Sequence, residues 1–130
     1  LYILVYNLKR DANVYCKVQT AWRPTQKSVI MLAPGDIVEL DLMRKEENPE
    51  WQGWVWCKAG NREGWVPVQI LEFQKERTVT SAKVTRHYSA AELNVEEGDL
   101  VVIDEILNGW AWVRNISNRE EGWIPMQILG

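Results

Sequence analysis

Histidine, cysteine and phenylalanine are nearly missing from this 130-residue chain, which has one His, two Cys and one Phe. The lone His87 has no cysteine or carboxylate at a nucleophile-like spacing and reads as a plain surface residue. Cys16 and Cys57 stand far apart, with no CxxC and no His/Cys cluster, which excludes a structural zinc site. They read as two buried free thiols in a reducing compartment, and a cytoplasmic location is the expectation. There is no GxxxxGK phosphate loop, no HExxH and no GxSxG. With so little acid–base or nucleophilic equipment, the chain reads as non-enzymatic, with no catalytic residue, metal or cofactor.

Long apolar runs are also absent. The longest, LYILVY at residues 1–6, falls far short of the roughly 20 residues needed to span a bilayer. It lacks the basic flank and cleavage site of a signal peptide, so neither a membrane span nor export is expected. Basic excess is missing too. Residues 1–75 hold ten Lys/Arg and nine Asp/Glu, and residues 76–130 hold five and nine, for a net charge of −3. Neither half has the field of a general nucleic-acid binder.

What is present is globular composition, 46 % hydrophobic and 25 % charged, with a surplus of eight Trp. The chain also repeats itself. EGWVPVQILEF at 63–73 returns as EGWIPMQILG at 121–130. Upstream, GWVWCKAGNREGWVPVQIL (53–71) matches GWAWVRNISNREEGWIPMQIL (109–129), APGDIVELD (33–41) matches EEGDLVVID (96–104), and KVQTAW (17–22) matches KVTRHY (83–88). Four matched blocks in one order signal internal duplication. The spacing from Gly35 to Trp54 is 19 positions and from Gly98 to Trp110 only 12, so the first repeat carries an insertion, MRKEENPEWQ, of surface-loop character.

Each repeat reads as short strands punctuated by Gly and Pro, with no amphipathic helical stripe. The expected organisation is an N-terminal extension (1–12), a first domain (13–73), a polar linker (74–80) and a second domain (81–130). The shortness of the linker favours a fixed or semi-fixed arrangement over free tethering. About five short strands in so small a unit need a closed architecture without exposed edges, so the fold class is all-β, two tandem small β-barrels.

In this order of blocks each repeat resembles an SH3 domain, over about residues 13–73 and 81–130. The tandem style looks closer to bacterial SH3-type proteins than to animal adaptors. The resemblance implies a shallow peptide groove lined by aromatics. Its positions are Trp22, Trp54 and Pro67 in the first repeat and Tyr88, Trp110 and Pro125 in the second, with Trp65 and Trp123 bordering a specificity pocket. Where the family has two further groove tyrosines, this chain has Thr20 and Arg86, and Ile70 and Ile128. The loop that usually carries acids is RPTQKSV in the first repeat and only SAAE in the second, while Glu46, Glu47 and Glu50 sit in the insertion. The implied ligand is therefore not an ordinary Pro-rich peptide.

Trp56 and Trp112 follow the groove tryptophans by two residues and share their face. They either extend an exposed aromatic strip or cover the barrel wall. Trp51 in the insertion is a contact residue or a fold-back cap. The acidic run Glu92, Glu96, Glu97 and Asp99 reads as a solvated loop. The reading is a non-enzymatic protein-interaction module for a peptide or partner domain, acting through aromatic surface around Trp54 or Trp110. One alternative is a cell-wall or surface-polymer binder. Another is a structural tandem whose grooves are buried in an inter-domain or dimer interface.

Overall fold

Alternation of buried and exposed side chains, interrupted by glycine turns, builds an all-β molecule. The computed structural model describes residues 5–7 (backbone only), 14–24, 29–44, 53–73 and 81–130. The insertion residues 45–52, with Trp51, Glu46, Glu47 and Glu50, lie outside the described residues, as do linker residues 74–80. In chain order the strands are β1 (Val5–Asn7), β2 (Val14–Lys17), β3 (Met31–Leu32), β4 (Ile37–Asp41), β5 (Trp54–Ala59) and β6 (Arg62–Pro67). Then follow β7 (Leu71–Phe73), β8 (Ser81–Val84), β9 (Tyr88–Ser89), β10 (Leu100–Leu107), β11 (Trp110–Asn115) and β12 (Glu121–Pro125).

The compact units do not coincide with the sequence repeats. One unit joins Leu1–Thr25 to Ala91–Gly130, and the other is the continuous stretch Gln26–Ala90. We call them the split unit and the continuous unit. In the split unit, β2 of the first repeat pairs with β10 of the second, from Lys17↔Leu100 to Val14↔Ile103. In the continuous unit, β8 of the second repeat pairs with β4 of the first, with Lys83 opposite Ile37. Each repeat has given its opening strand to the other. The strands on either side of residues 74–80, β7 and β8, are antiparallel neighbours in one sheet, with Phe73 opposite Ala82.

Local chemistry explains the turns. Both Gly-Asp pairs place glycine at positive φ, 92° at Gly35 and 91° at Gly98. The following aspartate then accepts a backbone N–H three residues back, Ala33 N–H to Asp36 (2.8 Å) and Glu96 N–H to Asp99 (2.9 Å). Asn108 and Gly109, both at positive φ, make the two-residue loop between the facing residues Leu107 and Trp110. Pro67 and Pro125 end their strands, and each is followed by one 3₁₀ turn, Val68–Ile70 and Met126–Ile128.

The core of the split unit draws on both of its segments: Val18 is buried with Leu93, Val95, Val101, Ile103, Val113 and Ile124. In the continuous unit Ile30, Val38, Cys57, Val66 and Val84 are sealed from solvent. Both cysteines are free thiols; Cys57 is buried as expected, but Cys16 is only half-buried. The N-terminal extension contributes β1, which runs antiparallel to Glu105–Leu107 and prolongs the edge of β10 that β2 covers.

Candidate ligand groove

The crossing of the chain redistributes the groove residues. The split unit holds Trp22 with Trp110, Trp123, Pro125 and Ile128, and the continuous unit holds Tyr88 with Trp54, Trp65, Pro67 and Ile70. The sequence-based sets thus exchange one member each. Trp22 belongs with the second repeat's hairpin and Tyr88 with the first's.

In each unit the strand carrying Trp-x-Trp faces the strand carrying Trp-x-Pro. Trp54 is opposite Pro67 and Trp56 opposite Trp65; Trp110 is opposite Pro125 and Trp112 opposite Trp123. The opposed tryptophans pack edge to face, with centroids 5.2 Å apart for Trp56–Trp65 and 5.4 Å for Trp112–Trp123. The indole N–H of Trp56 donates to the Glu63 carboxylate at 2.8 Å, and the Arg44 guanidinium lies 3.6 Å from the centre of a Trp56 ring.

Burial separates the aromatics sharply. Trp110 is 2 % exposed, so the expectation of an accessible ring there is corrected: Trp22 packs edge-on against it at 5.7 Å, and it stands directly opposite Pro125. Trp123, Trp65 and Tyr88 are buried as well, and the Tyr88 hydroxyl donates to the Trp65 carbonyl at 2.9 Å. Ile70 and Ile128 are buried, and their carbonyls accept from Thr85 and Gln19 on the exchanged arms. Trp22, Trp54, Trp56 and Trp112 remain half-buried. His87 is exposed, as its isolation suggested.

The acidic run is more than a solvated loop. The indole N–H of Trp22 donates to Glu92 at 2.9 Å. Arg23 forms an ion pair with Glu96, through both carboxylate oxygens, and donates to the Asn94 side chain (2.8 Å) and the Val95 carbonyl (3.0 Å). Asp99 accepts from Asn115 at 3.2 Å in addition to its own turn. Arg23 and Asn94 went unsingled in the sequence; their partners lie some 70 positions away, and no local pattern marks them. Burial pushes the Cys57 thiol up to about 12 and also raises that of Cys16.

This architecture, two barrels each with a Trp-rich hairpin and a proline before a 3₁₀ turn, agrees with comparison to known proteins. The variant SH3 domain family matches twice, at residues 15–74 and 79–129. SH3 and PX domain-containing protein 2B is similar, at 30 % identity for the human protein and 29 % for the mouse protein, each over 121 residues. These alignments cover 83 % of this chain and 12 % of the relatives, so the chain spans a small part of their length. Both relatives are mammalian, and nothing in them supports the bacterial likeness. SH3 domains are in general non-catalytic modules of protein–protein interaction. With matches over nearly its whole length, the chain belongs to the SH3 domain family, as a tandem of two.

Proposed function

We propose that the chain is a non-enzymatic interaction module that engages a peptide or partner domain through the aromatic face of the continuous unit, centred on Trp54. The observation that carries this is the contrast between the two equivalent tryptophans. Trp54 keeps part of its surface in solvent beside half-buried Trp56, whereas Trp110 is 2 % exposed. A partly exposed aromatic pair beside a cation is the kind of surface that binding energy concentrates on. The ligand differs from an ordinary Pro-rich peptide. Ile70 replaces a groove tyrosine and is buried, and the arms of the continuous unit, 29–32 and 85–90, contain no acid to meet a basic ligand residue.

The test is selection of a phage-displayed random-peptide library on the full chain, followed by binding of the enriched peptides to Trp54→Ala. A loss of tenfold or more is expected at a temperature where circular dichroism shows the variant still folded. Undiminished binding would remove Trp54 from the site. The burial of Trp110, Trp123, Trp65 and Tyr88 favours a second reading, in which the aromatics serve barrel architecture alone; that reading predicts no enrichment of any peptide.

A further inference from the structure

The crosswise assembly raises a question of selection. The two opening arms are near-duplicates, Lys17-Val18 against Lys83-Val84, and they occupy equivalent places: Lys17 faces Leu100 as Lys83 faces Ile37. Trp22 bridges to Val95 as Tyr88 pairs with Leu32. The fold alone therefore does not say why each arm sits in the other repeat's barrel. The side chains do.

Superposing the two Gly-Asp turns aligns SVIMLAPGD (28–36) with AELNVEEGD (91–99). Glu92 then corresponds to Val29, Asn94 to Met31 and Glu96 to Ala33. On the arms, Trp22 corresponds to Tyr88 and Arg23 to Ser89. In the crosswise assembly the polar arm meets the polar counterstrand: Trp22 donates to Glu92, and Arg23 engages Asn94, Glu96 and the Val95 carbonyl. The less polar arm meets the apolar counterstrand, with Ser89 opposite Met31 and Tyr88 opposite Leu32. The same-repeat assembly would set Trp22 and Arg23 against Val29, Met31 and Ala33, which offer no side-chain acceptor. It would also set Glu92 and Glu96 against Tyr88 and Ser89, which offer no charge. Specificity here is a difference between two pairings, and the mismatched one is disfavoured on both counters.

We propose that Trp22 and Arg23 on one side, and Glu92, Asn94 and Glu96 on the other, form a pairing code that selects the crosswise assembly of the two repeats over the same-repeat assembly. Each groove is then completed only by a residue from the other repeat, so a ligand site in this chain is a property of the tandem and not of either repeat.

Disulfide trapping in the full chain tests this. In a C16A/C57V background, K17C with L100C reports the crosswise pairing, and K17C with I37C reports the same-repeat pairing. Facing residues of an antiparallel pair lie within disulfide range. The expected result is an intramolecular 17–100 bond at least tenfold more abundant than the 17–37 bond. Exchanging the arms (W22Y, R23S, Y88W, S89R) is expected to reverse that ratio. As a milder second probe, R23E lowers the 17–100 yield and R23E/E96R restores it. Equal yields with the native arms, an unchanged ratio after both the arm exchange and R23E, or a 17–100 bond found only between two chains would overturn the proposal.

Discussion

The split unit fastens its borrowed arm with charge and hydrogen bonds, through Trp22, Arg23, Glu92, Asn94 and Glu96. The continuous unit fastens its own with a buried phenol, Tyr88 on the Trp65 carbonyl, and with apolar neighbours such as Leu32. The Arg23 and Glu96 side chains are more than half exposed, so their attraction is screened by salt and contributes modestly. The Tyr88 contact is dry and insensitive to salt. One strand arrangement is thus held by two different chemistries, and stability and selectivity can be tuned separately in the two units. The units also differ at the hairpin. Val113 of the split unit corresponds to Cys57 of the continuous one, and Trp110 is buried where its counterpart Trp54 is half-buried.

The largest expected break of this comparison is Trp110→Ala. Emptying so buried a site costs about 3–5 kcal/mol, which unfolds the split unit, whereas Trp54→Ala costs less. Denaturant unfolding followed by circular dichroism distinguishes the two variants. It follows that loss of binding in Trp110→Ala reports collapse of the barrel and not loss of a contact.

Gly122→Ala comes next. A Cβ at this position would lie 2.8 Å from the Leu93 backbone nitrogen and 2.9 Å from the Glu92 carbonyl carbon. The backbone at Glu92–Leu93 has to move, at about 1–3 kcal/mol. Hydrogen exchange is expected to rise at the Leu93 amide, which donates to the Trp123 carbonyl, and to stay unchanged at the Ala90 amide, which donates to Ile30.

The smallest effect is alkaline and belongs to the continuous unit. The folded Cys57 thiol titrates near 12 against its ordinary 9.0, so the native state holds its proton more tightly than the unfolded chain does. Stability is fully present below pH 9 and falls as pH rises from 9 toward 12, by about 1 kcal/mol at pH 10. Cys57→Val, which copies the split unit, is expected to flatten that slope in denaturant titrations at pH 8 and pH 10.

Much of the architecture was legible in the residues. The repeated Gly-Asp and Trp-x-Pro blocks are short-range signals, fixed by a positive φ in one case and a strand-ending proline in the other. The barrels followed from them. The pairing of arms was not legible, because two near-identical opening strands satisfy the same backbone ladder in either barrel. What tells them apart is a set of contacts between residues some 70 positions apart. The burial of Trp110 was hidden for a similar reason. Alternation placed it on the face shared with Trp112, yet the ring that packs on it, Trp22, arrives from the other repeat.

The exchange of opening strands also bears on synthesis. As the chain emerges from the ribosome, Gln26–Ala90 contains every described strand of its own barrel and can close while the C-terminal third is still unmade. The segment before it must wait, because β2 finds β10 only roughly 85 positions later, and contacts that distant form slowly. During that interval Tyr15 and Val18 are without their sheet, and vectorial synthesis leaves β2, made well before β10, among the last of the described strands to be placed.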